Sequence, residues 1–175
     1  MKIRRLLAAS VVLAVVVPAT AEAGLPQAKS HAIAINTSVA GAVLNSSYAT
    51  AHKAWGKGGV CTPDAGCEYA VKAGVATGAV ASFMVEKAKV IQISLRAGTT
   101  KSGAFLFDSP LTAYKTPKGI GLGSTTAQLK RAYPQGRALA GGANYFIRGK
   151  GDRQTSFTLT KGRVTGLYMQ SVKLG

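Results

Sequence analysis

The chain has 175 residues, 47% of them hydrophobic, with 22 lysines and arginines against 6 acidic residues and two histidines. That length suits one domain, or two small halves sharing a core. The scarcity of histidine and carboxylate leaves little material for acid–base chemistry, while the basic excess attracts polyanions and acidic protein faces.

Lys2, Arg4 and Arg5 precede an apolar run over residues 6–17, and Ala21-Glu22-Ala23 follows. This is the three-part layout of a secretory signal peptide. The run is about 12 residues, short of the roughly 20 that span a bilayer. Residues 1–23 are therefore expected to be cut off after Ala23, a retained anchor being the alternative, and the protein to be secreted or held in a bacterial cell envelope. Without the leader, 19 basic side chains stand against 5 acidic ones, a net of +14. The excess is lopsided, with 8 basic to 4 acidic residues from 24 to 114 and 11 to 1 from 115 onward. Wall polymers, anionic lipid headgroups and acidic proteins all answer a field of that sign; so does plain solubility. Export argues against nucleic acid.

In chain order, residues 31–35 alternate around Ile33 and Ile35 as a short strand. Ser46 is expected to cap a helix running to Trp55, broken by Gly56-Lys-Gly-Gly59. Cys61 and Cys67 bracket Thr-Pro-Asp-Ala-Gly, and in an exported chain such a pair is expected to form a disulfide. The spacing is not that of a Cys-x-x-Cys redox motif, and further metal ligands are lacking nearby in sequence, so neither metal nor cofactor is expected. Strands follow at 68–72, 79–85 and 89–96, with a turn at Glu86-Lys87-Ala88. Residues 104–107 are expected to close this first sheet, and 111–114 to match the opening strand. The run Gly119-Ile-Gly-Leu-Gly123 then enters a helix with Ser124 as N-cap and Leu129 and Tyr133 on its apolar side, stopped at Pro134. The final strands are 143–148, 155–160 and 163–171, with a turn at Lys161-Gly162.

Much of this occurs twice. A shift of 78 lays Gly41, Leu44, Ser46, Ala49 and Ala54 on Gly119, Leu122, Ser124, Ala127 and Ala132. A shift of 74 lays Ser82-Phe83, Lys87 and Val90 on Ser156-Phe157, Lys161 and Val164. A duplication whose copies differ by four residues explains both. Strand alternation puts Phe83, Val85, Ile91, Ile93 and Leu95 on one side, with Phe157, Leu159, Thr165, Leu167 and Met169 as their counterparts. Ser82, Gln92, Ser94 and Arg96, with Ser156, Thr158, Gly166, Tyr168 and Gln170, fall on the other. The expected fold is α+β, two tandem helix-plus-antiparallel-sheet repeats over 31–107 and 108–175, with one exposed sheet surface.

Catalytic patterns are absent. His31 and His52 lie near no Gly-x-Ser-x-Gly elbow, and Asp64, Glu68, Glu86, Asp108 and Asp152 are scattered through loops and turns. Gly119-x-Gly121-x-Gly123 lacks the last spaced glycine of a dinucleotide fingerprint and reads as a helix-entry turn rather than an anion site. The basic groups are more suggestive. Lys130, Arg131 and Arg137, then Arg148, Lys150 and Arg153, then Lys161 and Arg163 interleave with Tyr133, Tyr145, Phe146 and Tyr168, a mixture that pairs with anions and stacks. Two hairpin ends, one carrying Lys150 and Arg153 and the other Lys161 and Arg163, are expected to converge on a basic rim. An ordinary solvated surface predicts the same residues.

The duplicated unit resembles the β-lactamase-inhibitory-protein-like family, whose module is shared with small outer-membrane assembly lipoproteins. Gly119, Gly123, Thr125 and Leu129 fit its Gly-x-x-x-Gly-x-Thr/Ser-x-x-x-Leu/Val opening, while the first copy keeps Gly41 and Ser46 but has Asn45 and Ala51 at later motif positions. The resemblance implies an exported, non-enzymatic protein of two modules with a disulfide after the helix, matched in kind by Cys61 and Cys67. It further implies binding of another protein, or inhibition of an extracellular enzyme, through a hairpin turn and a concave sheet; Glu86 and Lys87 occupy the matching turn. The strong basicity and the lack of a second cysteine pair depart from the family. The other reading is a basic envelope protein that binds anionic wall polymer or lipid headgroups.

Overall fold

The computed structural model describes residues 28–71, 78–139 and 141–171; the expected leader and Lys72 lie outside them. The described chain opens with a meander of three short strands, β1 (Ile33–Ala34), β2 (Ser38–Val39) and β3 (Ala42–Val43), followed by helix α1 (Tyr48–Trp55). Strands β4 (Val60–Thr62), β5 (Gly66–Val71), β6 (Ala79–Glu86) and β7 (Lys89–Arg96) come next, then β8 (Gly98–Thr99) and β9 (Phe105–Leu106). A 3-10 turn (Pro110–Ala113) leads to helix α2 (Thr126–Ala132) and strands β10 (Arg137–Ala138), β11 (Asn144–Arg148), β12 (Arg153–Thr160) and β13 (Arg163–Ser171). The protein is α+β with mostly antiparallel strands, and no helix among the described residues is long and apolar enough to cross a membrane.

Eight strands form one sheet in the order β10-β11-β12-β13-β7-β6-β5-β4, every neighbouring pair antiparallel. The seam is β13 against β7, with Leu167 opposite Leu95, Tyr168 opposite Ser94 and Met169 opposite Ile93. Both long hairpins close through two residues of positive φ, Lys87-Ala88 and Lys161-Gly162, the backbone twist that two-residue loops require. Each hairpin also carries a bulge. Ile91 and Thr165 are the extra residues, so Val90 and Val164 take the inward positions and the expected core places of Ile91 and Thr165 are displaced.

One face of the sheet is the floor of the core. Phe83, Ile93, Leu95, Phe157, Leu167 and Met169 are fully buried there, each burial stabilising by about 1.5–3 kcal/mol. Trp55 descends from α1 onto Tyr69 and Phe83, edge-to-face at 5.4 and 5.5 Å, and its Nε1 donates to the Val39 carbonyl at 3.0 Å. Leu129 anchors α2 in the same cluster, which runs through both halves of the chain. The halves are also tied by backbone: Ile33 N–H donates to Lys115 C=O at 2.9 Å, and Lys115 N–H to His31 C=O at 3.0 Å. Asn36 in the opening meander shares two 2.8 Å hydrogen bonds with Thr155 of β12.

Four local expectations shift. Both helix caps fall one residue later, at Ser47 and Thr125, because Ser46 and Ser124 spend their hydroxyls on the preceding turn, at Val43 C=O and Gly121 N–H. Residues 111–114 are not a strand, since Pro110 starts a 3-10 turn. Strand β9 pairs with β8 in a separate two-stranded ladder instead of closing the main sheet. The loop expected to hold the cysteines is itself hairpin β4–β5, with Cys61 opposite Cys67 and the two joined as a disulfide.

Candidate functional site

Because both helices use one face of the sheet, the register decides what the other face presents. It lines up Phe146, Ser156, Tyr168, Ser94, Ser82 and Glu68 across six adjacent strands. The next row is Arg148, Gln154, Gln170, Gln92 and Met84. The surface is one of hydroxyls and amides with set apolar points: Met84 is 47% exposed, and the Ser82 and Ser94 hydroxyls bond each other at 2.7 Å. Tyr168 packs against Gly166, where an added Cβ would lie 3.1 Å from its ring, so the glycine makes the space that lets the tyrosine lie down on the sheet. At one side of that ring is a small cleft of about 280 Å³ with Arg96 and Phe105 on its walls.

The predicted binding residues separate into four places. Arg148 and Tyr168 stand on the open face. Glu86, Lys87, Lys150 and Arg153 gather at one end of the sheet, where Glu86, Lys87, Lys89 and Asp152 border a hollow of about 690 Å³. Lys161 and Arg163 lie at the opposite end, because the antiparallel seam points the two hairpins apart. Strand β12 alone spans 8 residues, roughly 25 Å at 3.3 Å per residue, so the expected single basic rim does not form. Lys130 and Arg131 are on α2, in the helical layer behind the sheet. Tyr145 is corrected outright: alternation turns it into the core, 3% exposed, with its hydroxyl donating to the Tyr133 carbonyl at 2.6 Å. Its neighbour Phe146 takes the outward position.

The glycine run before α2 has its amides already engaged. Gly119 and Ile120 N–H donate to Thr116, Gly121 N–H to the Ser124 hydroxyl and Gly123 N–H to Val164 C=O, so the run braces the helix entry and offers no cradle for an anion. The Arg163 guanidinium bonds the Gly123 carbonyl at 2.9 Å and is occupied with the same brace.

His52 reveals a neighbourhood that sequence spacing hid. It stacks on Tyr48 at 5.3 Å, and one of its ring nitrogens lies within 4.8 Å of both cysteine sulfurs. The sulfurs are bonded to one another, so as the chain stands this is a disulfide shielded by aromatic rings and not a ligand set. Burial pushes Tyr69 up to about 12, with Tyr48 adding to the shift, and pulls Lys115 down. Among the described residues no histidine hydrogen-bonds a carboxylate or a hydroxyl. Comparison of the chain with known protein families, curated proteins and solved structures finds no match.

Proposed function

We propose that this is an exported, non-enzymatic binding protein of two duplicated helix-plus-sheet modules, and that it holds an acidic partner protein against the open face of its eight-stranded sheet. The observation that carries the reading is the sheet itself: both helices cover one face, leaving amide and hydroxyl rows with Phe146, Tyr168 and Met84 standing on the other. Such a mixture of aromatic anchors and polar groups is what protein interfaces use. Net charge supplies the long-range attraction.

Duplication is supported by features that obey the same two shifts found in the sequence. The cap residues bridge to the second hairpin strand in both halves, Ser47 to Lys89 and Thr125 to Arg163. The bulges fall at Met84/Val85 and Thr158/Leu159, 74 residues apart. At offsets of 76 and 77, outside those two shifts, Tyr69 and Tyr145 each hydrogen-bond a carbonyl just past a helix, at Gly56 and Tyr133. An extracellular enzyme is within the partner class, as the resemblance to the inhibitory-protein-like family implies. A second reading, adhesion to anionic wall polymer or lipid headgroups, draws on the spread of cations over both sheet ends and α2.

The test is capture from producer culture supernatant and cell-wall fractions by the oxidised chain lacking residues 1–23. It is run beside a chain carrying Met84→Ala and Tyr168→Ala, with low-salt and then high-salt washes. Retention of one protein through high salt, lost in the double variant, is expected. Complete release by salt together with binding of purified wall polymer would replace this reading with the second, because multi-point ionic attachment is screened and a packed interface is not.

A further inference from the structure

The outer edge of the sheet at β10 carries a groove that the sequence did not single out. Arg137 stands directly opposite Phe146, and Arg148 lies two residues further along the same strand, on the same face. Phe146 therefore stands between two arginine side chains, roughly 5 Å from one Cβ and 7 Å from the other. Gln154 faces Arg148, and exposed Leu139 completes a hollow of about 750 Å³. No carboxylate lines it, and among the described residues neither guanidinium makes a hydrogen bond within the chain. Two like charges beside one ring repel until an anion sits between them, and the planar guanidinium fork favours a carboxylate.

Resting on the reading of the open face as a protein-binding surface, we propose that this groove seats an extended acidic segment of the partner. Carboxylates at positions i and i+2 of that segment would meet Arg148 and Arg137, and an apolar side chain at i+4, on the same face of the extended chain, would rest on Phe146 and Leu139. The spacing fits because residues i and i+2 of an extended chain are about 7 Å apart, close to the diagonal of about 7–8 Å that separates Arg137 from Arg148 on neighbouring strands. The other cations lack this arrangement: Lys161 is at the far end of the sheet and Lys130 is on α2.

The probe is a fluorescein-labelled peptide holding two Glu-Ser-Glu-Ser-Phe units, read by anisotropy against the oxidised chain at physiological salt, with a Gln-for-Glu peptide and anionic phospholipid vesicles as comparisons. Arg137→Gln and Arg148→Gln are each expected to weaken binding roughly fivefold or more. Lys130→Gln and Lys161→Gln remove the same charge elsewhere and are expected to change it by less than about twofold. Unchanged thermal midpoints in all four establish that the fold is intact. Equal losses in all four, no saturable binding, or vesicles that bind through the two arginines in preference to the peptide would each overturn the proposal. If capture fails in the Met84→Ala, Tyr168→Ala chain while the peptide ignores both arginines, the groove is wrong and the wider face stands. If the peptide needs both arginines while capture survives in that double variant, the groove stands and the wider face falls.

Discussion

Tyr69 shows how a single side chain links the disulfide hairpin to the first helix. Its ring meets Trp55 edge-on, and its hydroxyl donates to the Gly56 carbonyl at 2.7 Å, closing the C-terminal end of α1. Burial, with Tyr48 adding to it, raises its pKa to about 12, so the native state keeps the proton after an unfolded tyrosine has lost it near 10. A pKa raised on folding gives stability that is complete below the unfolded value and disappears as pH climbs through the folded one. The window is therefore pH 10 to 12. Tyr114, also raised by burial, acts in the same direction, which makes Tyr69→Phe the control that isolates one residue. The variant is expected to lose about 1 kcal/mol at neutral pH from the missing hydrogen bond, and to fall less steeply than the parent between pH 10 and 12. Denaturant midpoints measured across that range decide it; parallel curves would remove Tyr69 as the source.

Among the elements, α2 carries a complete capping box: Thr125 Oγ1 accepts from Gln128 N–H at 3.2 Å, and Gln128 Oε1 accepts from Thr125 N–H at 2.8 Å. Ser124, one residue earlier, instead receives the Gly121 N–H at 3.1 Å. Thr125→Ala is expected to cost about 1 kcal/mol and to expose the Gln128 amide to hydrogen exchange, whereas Ser124→Ala should expose the Gly121 amide and leave Gln128 protected. Exchange rates at those two amides separate the roles; the reverse pattern would return the cap to Ser124. The sequence could show that a helix starts here, because Gly, Ser and Thr precede an apolar period, but adjacent hydroxyls are equivalent until the backbone turn selects one. The long strands were equally legible, since strict alternation places Phe83, Leu95, Phe157 and Leu167 inward without any tertiary knowledge. Beyond the bulges the same rule fails: one inserted residue reverses the faces, and Ile91 and Thr165 yield their places to Val90 and Val164. Strands β4 and β10 were hidden because 3 and 2 residues carry no period, and with β10 went the groove between Arg137 and Arg148. The phenol of Tyr145 suggests a binding residue, but its parity on the strand assigns it to the core.

At the scale of the whole molecule, one eight-stranded sheet joins the first half of the chain to the second, and that seam decides whether they unfold together or apart. The strands of the two halves meet at five register pairs between β7 and β13, and at that seam Leu95 and Leu167 are opposite each other and fully buried. Parting the halves would expose both leucines, free an edge on each sheet, and break the Ile33–Lys115 and Asn36–Thr155 hydrogen bonds that cross between them. Each half would keep only part of the one hydrophobic cluster, a core too small to hold its share of the chain alone. A single transition follows as the expectation. Trp55, the only tryptophan, reports the first half by fluorescence, and amide cross-peaks of β11 to β13 report the second by NMR. Their denaturant midpoints should coincide, and Leu95→Ala, costing about 2–5 kcal/mol, should move both together even though the mutated side chain belongs to only one half. Survival of the β11 to β13 signals after Trp55 fluorescence has changed would mean that the seam joins two independent folds. The open face would then be an assembly of two surfaces rather than one, and a partner's grip on Phe146 and on Met84 would no longer be coupled.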